Sequence, residues 1–167
     1  MAKQIRSEYL RKVKPKAFQE TVYRVLVRRF SPLSLEGSIT FGGRYNPPYQ
    51  FPALYCGFTP EICWSEIEKK IEGPIDRSRF KMTAIRVRLQ KVLDLTDSKV
   101  LSALGIKPEL LIHPTDHVLT RQIAILAREA GFEAILAPSS AGPEHILAIF
   151  SDRLSSKSKV EIVKRKK

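Results

Sequence analysis

Arg24, Arg44, Tyr45, Glu66 and Ser139 are the side chains of this sequence best suited to chemistry. Arg24 lies in the β-branched and aromatic run Glu20 to Val27, which reads as a strand. There it alternates with Tyr23 and Val25 and shares a face with Val22 and Leu26. An arginine on a largely apolar face calls for an anionic partner. Arg44 and Tyr45 belong to Gly42-Gly43-Arg44-Tyr45-Asn46-Pro47, the most informative stretch of the chain. Read alone, it is a glycine turn followed by an exposed arginine and tyrosine. Glu66 borders the apolar stripe Ile62, Cys63, Ile67, Ile71 of a helix, so it can point into a cleft. Its ordinary alternative is a helical pair with Lys70. Ser139 lies in the loop Pro138 to Pro143, between two late strands. It lacks a GxSxG turn, which argues against a serine triad, and it could simply cap a turn.

The elements that must position these residues follow from local pattern. Residues 31–52 read as a long Pro-, Gly- and Ser-rich loop with a short strand around Ile39 to Phe41. Ala53 to Phe58 reads as a buried strand carrying Tyr55. Thr59-Pro60-Glu61 is a helix start with a hydroxyl cap, a proline at the first helical position and an acid in the first turn. That helix runs to about Glu72 and stops at Gly73-Pro74. Phe80 to Leu89 and Val92 to Leu95 read as strands, and Asp97 caps a short helix ending near Gly105. Asp116 to Ala130 is a second clear helix, facing Leu119, Ile123, Leu126, Ala127 and Ala130 inward, with Gly131 as its stop. Phe132 to Ala137, His145 to Phe150 and an edge strand at Val160 to Val163 follow. Strands outnumber helices in irregular order, which predicts an α+β fold with a mostly antiparallel sheet and flanking helices.

Bulk properties narrow the function classes. The 167 residues suit one domain. No apolar run has membrane-spanning length, and no hydrophobic stretch follows the basic N-terminus, so a cytoplasmic protein is expected. Cys56 and Cys63 form no CxxC pair and read as small buried hydrophobes. His113 and His117 are separated by Pro114, which spoils a shared helix face, and no metal is expected. GxGxxG and P-loop motifs are absent. The net charge of +12 invites a nucleic-acid reading, but it is unevenly spread. Residues 1–16 carry +5 and residues 157–167 carry +5, leaving +2 for the body of the domain. The expected core spans about residues 21–150, with basic ends at 1–16 and 157–167.

Taken together, Arg24, Gly42-Gly43-Arg44-Tyr45-Asn46, Tyr55, Glu66 and Pro138-Ser139 resemble the RES domain, a family named for its Arg, Glu and Ser. Val92-Leu93-Asp94-Leu95-Thr96 and Gly131-Phe132-Glu133-Ala134-Ile135-Leu136 match as well. The resemblance covers roughly Thr21 to Phe150. It implies a single RES domain with a fold similar to ADP-ribosyltransferases. It implies a toxin of a toxin–antitoxin pair that consumes NAD by hydrolysis or phosphorolysis, with transfer of ADP-ribose to a protein as the alternative. It also implies an Xre-type helix-turn-helix antitoxin as partner, so that nucleic acid is met only through that partner. The chain departs from the family at Pro47-Pro48-Tyr49, at Ala134 and at Cys63-Trp64-Ser65.

NAD chemistry suits these residue types. Arginine offers a planar charged fork for phosphate oxygens, so Arg24 and Arg44 would hold the pyrophosphate or the adjoining ribose. Gly43 lets backbone approach the ligand. Tyr45 or Tyr55 would stack on nicotinamide. Cleavage builds an oxocarbenium-like centre that the Glu66 carboxylate would stabilise. Ser139 would donate a hydrogen bond to the ligand or to Glu66. NAD is then a substrate and phosphate one possible acceptor. The rival from another class is a nucleic-acid-binding module with an inactive pocket, using the basic ends.

Overall fold

The computed structural model describes residues 4–164. Its strands are β1 Lys16–Val27, β2 Leu54–Gly57, β3 Phe80–Asp94, β4 Ala134–Pro138, β5 His145–Ile149 and β6 Lys159–Ile162. Its helices are α1 Ser7–Arg11, α2 Glu36–Phe41, α3 Pro60–Ile71, α4 Ser98–Leu104 and α5 Val118–Glu129. Strands β1, β2, β5, β4 and β3 pair in that order, and β3 pairs back to β1, so five strands close on themselves. β6 extends the edge of β3. Only the β3–β4 pairing is parallel among the described residues. The expected mixed fold with a mostly antiparallel sheet holds.

Alternation along the strands builds two cores. Val22, Leu54, Cys56, Ile85, Leu136 and Leu147 point to one face and pack within the closed sheet. Tyr55, Ile135, Ala137 and Ala148 point to the other, where Leu10 of α1, Leu101 of α4 and Ile123 of α5 cover them. Tyr55 and Cys56 are therefore neighbours in sequence on opposite faces of β2. The β1–β2 contact is slight: Tyr23 opposite Gly57 is its one register pair. Helix α3 lies over this seam, and the Cys63 thiol donates to the Tyr23 carbonyl at 3.2 Å.

Three sequence expectations change. Ile39 to Phe41 is not a strand but the end of α2, whose turns close through Ile39 N–H to Leu35 O and Gly42 N–H to Ser38 O. Three residues are too few to separate a strand period from a helical one. The two strands expected at Phe80 to Leu89 and Val92 to Leu95 are one, β3. The Glu133 carboxylate accepts from Gln90 N–H at 2.8 Å and Lys91 N–H at 3.3 Å, which lets the polar Gln90-Lys91 pair remain in the strand. Third, residues 4–16 are not merely a basic end. Ile5 and Leu10 are buried in the helix-covered core, because Ile5, Tyr9, Leu10 and Val13 form an apolar side to an otherwise charged segment. At the other end β6 is the expected edge strand, and residues 165–167 of the basic run lie outside the described residues.

Candidate active site

Helix α3 positions the acid. Thr59 caps it by accepting from Ile62 N–H, Pro60 opens it, and it closes at Glu72 in the left-handed conformation. One face, running Thr59, Ile62, Glu66, Lys69, lies against the β4–β5 loop. Thr59 Oγ1 donates to Glu144 Oε2 at 2.5 Å, and Lys69 Nζ donates to the Ser140 carbonyl at 2.6 Å. Between these ties, Ser139 Oγ donates to Glu66 Oε1. Ser139 Oγ also accepts from Ala141 N–H at 3.0 Å, and Ser139 N–H donates to Glu144 O at 2.9 Å. The hydroxyl is thus held from both sides, with Ser139 only 4% exposed. Glu66 is half-buried and makes no ion pair with Lys70. Sequence reasoning offered two partners for Ser139, the ligand or Glu66; this structure makes the second contact.

Arg24 sits on the inner face of β1, as the alternation required. Its Nη1 donates to the Pro32 carbonyl at 2.8 Å, and burial holds its guanidinium below the usual arginine range, partly offset by Cys56. It stands next to Tyr23, whose carbonyl takes the Cys63 thiol one helical turn from Glu66. Burial pushes the Cys63 thiol up to about 11, so it is a protonated donor at neutral pH. The Cys63 departure from the family pattern therefore ties α3 to β1 beside Arg24.

The Gly43–Asn46 loop forms a second cluster, around Tyr55. Tyr55 Oη accepts from Tyr45 N–H at 2.9 Å and donates to Asn46 Oδ1 at 2.6 Å. Asn46 Nδ2 in turn donates to Ser38 O and Phe51 O at 2.9 and 3.1 Å. A Cβ on Gly43 would come within 2.5 Å of Tyr55 Oη, so only glycine fits here. Arg44 Nη1 donates to His113 O at 2.7 Å and Leu111 O at 3.2 Å. Tyr45 is fully buried and its hydroxyl has no partner, whereas Tyr55 is half-buried. Burial raises both phenols well above their ordinary range. At Pro47-Pro48-Tyr49, another departure from the family pattern, Tyr49 takes the left-handed turn itself at φ 63° and is 77% exposed.

The structure therefore brings Glu66 and Ser139 into contact, sets Arg24 beside the helix carrying Glu66, and groups Gly43, Arg44, Tyr45 and Tyr55 on the other face of β2. Sequence reasoning missed Asn46, although it stood inside the quoted motif. It also missed Arg121, which donates from Nε to Gly43 O at 2.9 Å and had no local signal on α5. His113 caps a turn, its Nδ1 accepting from Asp116 N–H at 2.9 Å. Among the described residues no three His, Cys, Asp or Glu gather as a metal site, and no helix is long and apolar enough to cross a membrane. A cavity of about 550 Å³ between the α1–β1 connection and α4, lined by Tyr9, Val13, Lys14, Asp97 and Val100, includes none of the candidate residues.

A mixed, closed sheet with an acid–hydroxyl pair bridging a helix and a hairpin loop defines the class, and comparison with known proteins gives it a family. The RES domain model matches residues 21–165, and the chain belongs to this family. It is 27% identical over 142 residues to the NAD(+) phosphorylase MbcT of Mycobacterium tuberculosis, covering 81% of this chain and 76% of that protein. It is 33% identical over 112 residues to the probable NAD(+) phosphorylase Rv3189 of the same organism, covering 65% of this chain and 53% of that one. Its fold matches a chain of the crystal structure of the M. tuberculosis MbcT–MbcA toxin–antitoxin complex at TM-score 0.83 and 23% identity, over 95% of this chain and 88% of that one.

Proposed function

We propose that this protein is an NAD-degrading toxin that cleaves the bond between nicotinamide and ribose, with phosphate as acceptor. The observation that carries the reading is the Glu66–Ser139 pair, formed across 73 residues of sequence within a RES domain. The relatives named as NAD(+) phosphorylases support the substrate and the acceptor. In the reaction the C1–N bond breaks and its electron pair passes to the pyridinium nitrogen, which leaves neutral. A phosphate oxygen forms the new C1–O bond.

Glu66 lies beside the ribose and stabilises the positive charge that develops at C1. Ser139 fixes the orientation of that carboxylate. Arg24 and Arg44 hold the phosphates through their forks. In the conformation described here Arg44 uses only Nη1, on two backbone carbonyls, which leaves Nη2 and Nε for ligand oxygens. Gly43 keeps the loop close to Tyr55, the partly buried ring that stacks on nicotinamide. Tyr45, fully buried, serves by shaping the loop. The likeness to the ADP-ribosyltransferase fold, an Xre-type helix-turn-helix antitoxin as partner, and a cytoplasmic site of action complete the proposal.

The test is nicotinamide release from NAD by the purified protein, with and without phosphate, beside Glu66→Ala. Release that requires phosphate and vanishes in the variant supports the reading. Release without phosphate makes water the acceptor. No release together with ADP-ribose on a partner protein makes it a transferase. No release and no NAD binding ends the enzymatic reading.

A further inference from the structure

We infer that Arg121, together with Arg44, forms a phosphate-binding subsite at the Gly43 loop, an inference that rests on the NAD reading of the site.

Four arginines of the described residues are buried or half-buried: Arg24, Arg44, Arg121 and Arg128. Arg128 is the ordinary case, because both its Nη atoms meet the Asp152 carboxylate at 2.7 Å. Arg24, Arg44 and Arg121 pair with no carboxylate among the described residues. A guanidinium taken partly out of water without an opposite charge calls for one, and an anionic ligand supplies it. Arg44 and Arg121 converge on one loop. Arg121 reaches Gly43 O, while Arg44 is the next residue along. Both lie within electrostatic reach of Tyr55 and of His117.

The Arg121 geometry leaves the binding edge free. Its Nε is used on Gly43 O, and its Nη1 and Nη2 make no hydrogen bond to the described residues. Arg44 uses Nη1 alone, on Leu111 O and His113 O. A second observation points to a missing oxygen-rich partner. The described side chains contain two buried polar atoms without partners, Tyr45 Oη and His117 Nε2. Both lie within electrostatic reach of this cluster: Arg44 acts on the Tyr45 phenol, and Arg44 and Arg121 both act on His117, the residue that precedes α5. Buried polar groups without partners are rare, and a bound anion accepts from several donors at once.

Phosphate chemistry here has two sources, the pyrophosphate of the dinucleotide and free phosphate as acceptor. Steady-state cleavage is to be titrated in NAD at fixed phosphate and in phosphate at fixed NAD, for the unaltered protein, Arg121→Gln and Arg121→Lys. Binding of inorganic pyrophosphate and of phosphate is measured separately by calorimetry, which needs no turnover. The inference expects Arg121→Gln to weaken one anion about tenfold or more and to raise the matching KM, with partial recovery in Arg121→Lys, which keeps charge and a donor for Gly43 O. A raised KM for NAD with weaker pyrophosphate binding assigns the dinucleotide. A raised KM for phosphate with weaker phosphate binding assigns the acceptor. Unchanged anion affinities and unchanged KM values, with only kcat reduced, overturn the inference and leave Arg121 as a loop support. If Arg121→Gln fails to fold, the Arg121 Nε–Hε resonance of the unaltered protein decides. It shifts on addition of pyrophosphate or phosphate, and its constancy at saturating concentrations of both overturns the subsite. A protein that binds these anions through Arg121 yet cleaves no NAD retains the subsite while losing the proposed reaction.

Discussion

Ser139 Oγ donates to Glu66 Oε1, joining the β4–β5 loop to the middle of α3. Because Ala141 N–H donates to the same hydroxyl, its one proton is committed to the carboxylate. The carboxylate is thereby held in one orientation while Glu66 Oε2 has no partner among the described residues. This asymmetry suits an acid that acts on a ligand through one oxygen.

Glu66→Gln tests the charge with little change of shape. The amide oxygen still accepts from Ser139, so α3 and the hairpin stay joined. The expected outcome is a fall in kcat for nicotinamide release of about 10²–10³-fold, with an unfolding midpoint near that of the unaltered protein. Ser139→Ala, which frees the carboxylate without neutralising it, is expected to cost less. A Glu66→Gln protein with normal turnover would remove Glu66 from the reaction.

Arg24→Met addresses a half-buried charge whose recorded partner is the Pro32 carbonyl. Burial works against the guanidinium here, as its depressed proton affinity shows. A methionine of similar length fills the space without that cost. The variant is expected to be as stable as the original protein or more stable by up to about 2 kcal/mol in urea unfolding, while NAD binding is lost. A clear loss of stability would make Arg24 a structural support for the segment at Pro32.

Gly43→Ala places a methyl where Tyr55 Oη and its ring carbons stand within 2.8 Å. Neither neighbour moves freely, because Tyr55 Oη is bonded to both Tyr45 N–H and Asn46 Oδ1. The expected cost is roughly 1–3 kcal/mol of stability, measured by denaturant unfolding, together with loss of cleavage. Gly37→Ala is the control, since a Cβ there meets nothing within 4 Å. Equal stabilities for the two variants would contradict the packing at Tyr55.

Much of this was legible from local pattern, and the rest was hidden for physical reasons. Thr59-Pro60-Glu61 wrote the start of α3, Asp97 that of α4, and strand alternation put Arg24 on the face of Val22 and Leu26. The Glu66 position on its helix gave the direction in which it points. Closure of the sheet was not legible, because the β1–β3 and β2–β5 pairings join residues far apart in sequence, and no local propensity encodes a register. The same distance hid the grip of Arg121 on Gly43. The Glu66–Ser139 contact was one of the two that sequence reasoning offered for Ser139, because family resemblance supplied those residues as a group. The α1 helix was masked by its charges, although Ile5, Tyr9, Leu10 and Val13 carried its apolar side.

Glu133 gives the last prediction, one of stability against pH. It is 2% exposed and sits at the start of β4. Burial alone would raise its carboxyl, but Ser155 N–H, Gln90 N–H and the Ser158 hydroxyl donate to it and outweigh burial, so its proton affinity is lowered. A carboxylate with a folded-state pKa below its unfolded value contributes stability that is full above the ordinary glutamate range. That contribution is lost as pH falls through the folded value. The described contacts join β3, β4 and the segment before β6, so protonation loosens all three together. Unfolding midpoints measured from neutral pH down to about pH 3 should fall steeply below the ordinary glutamate range. Glu133→Gln should be less stable at neutral pH by about 1–3 kcal/mol and should show a shallower acid slope. An identical acid slope in the variant would place the acid sensitivity on other carboxylates, of which Asp152, paired with Arg128, is the next to test.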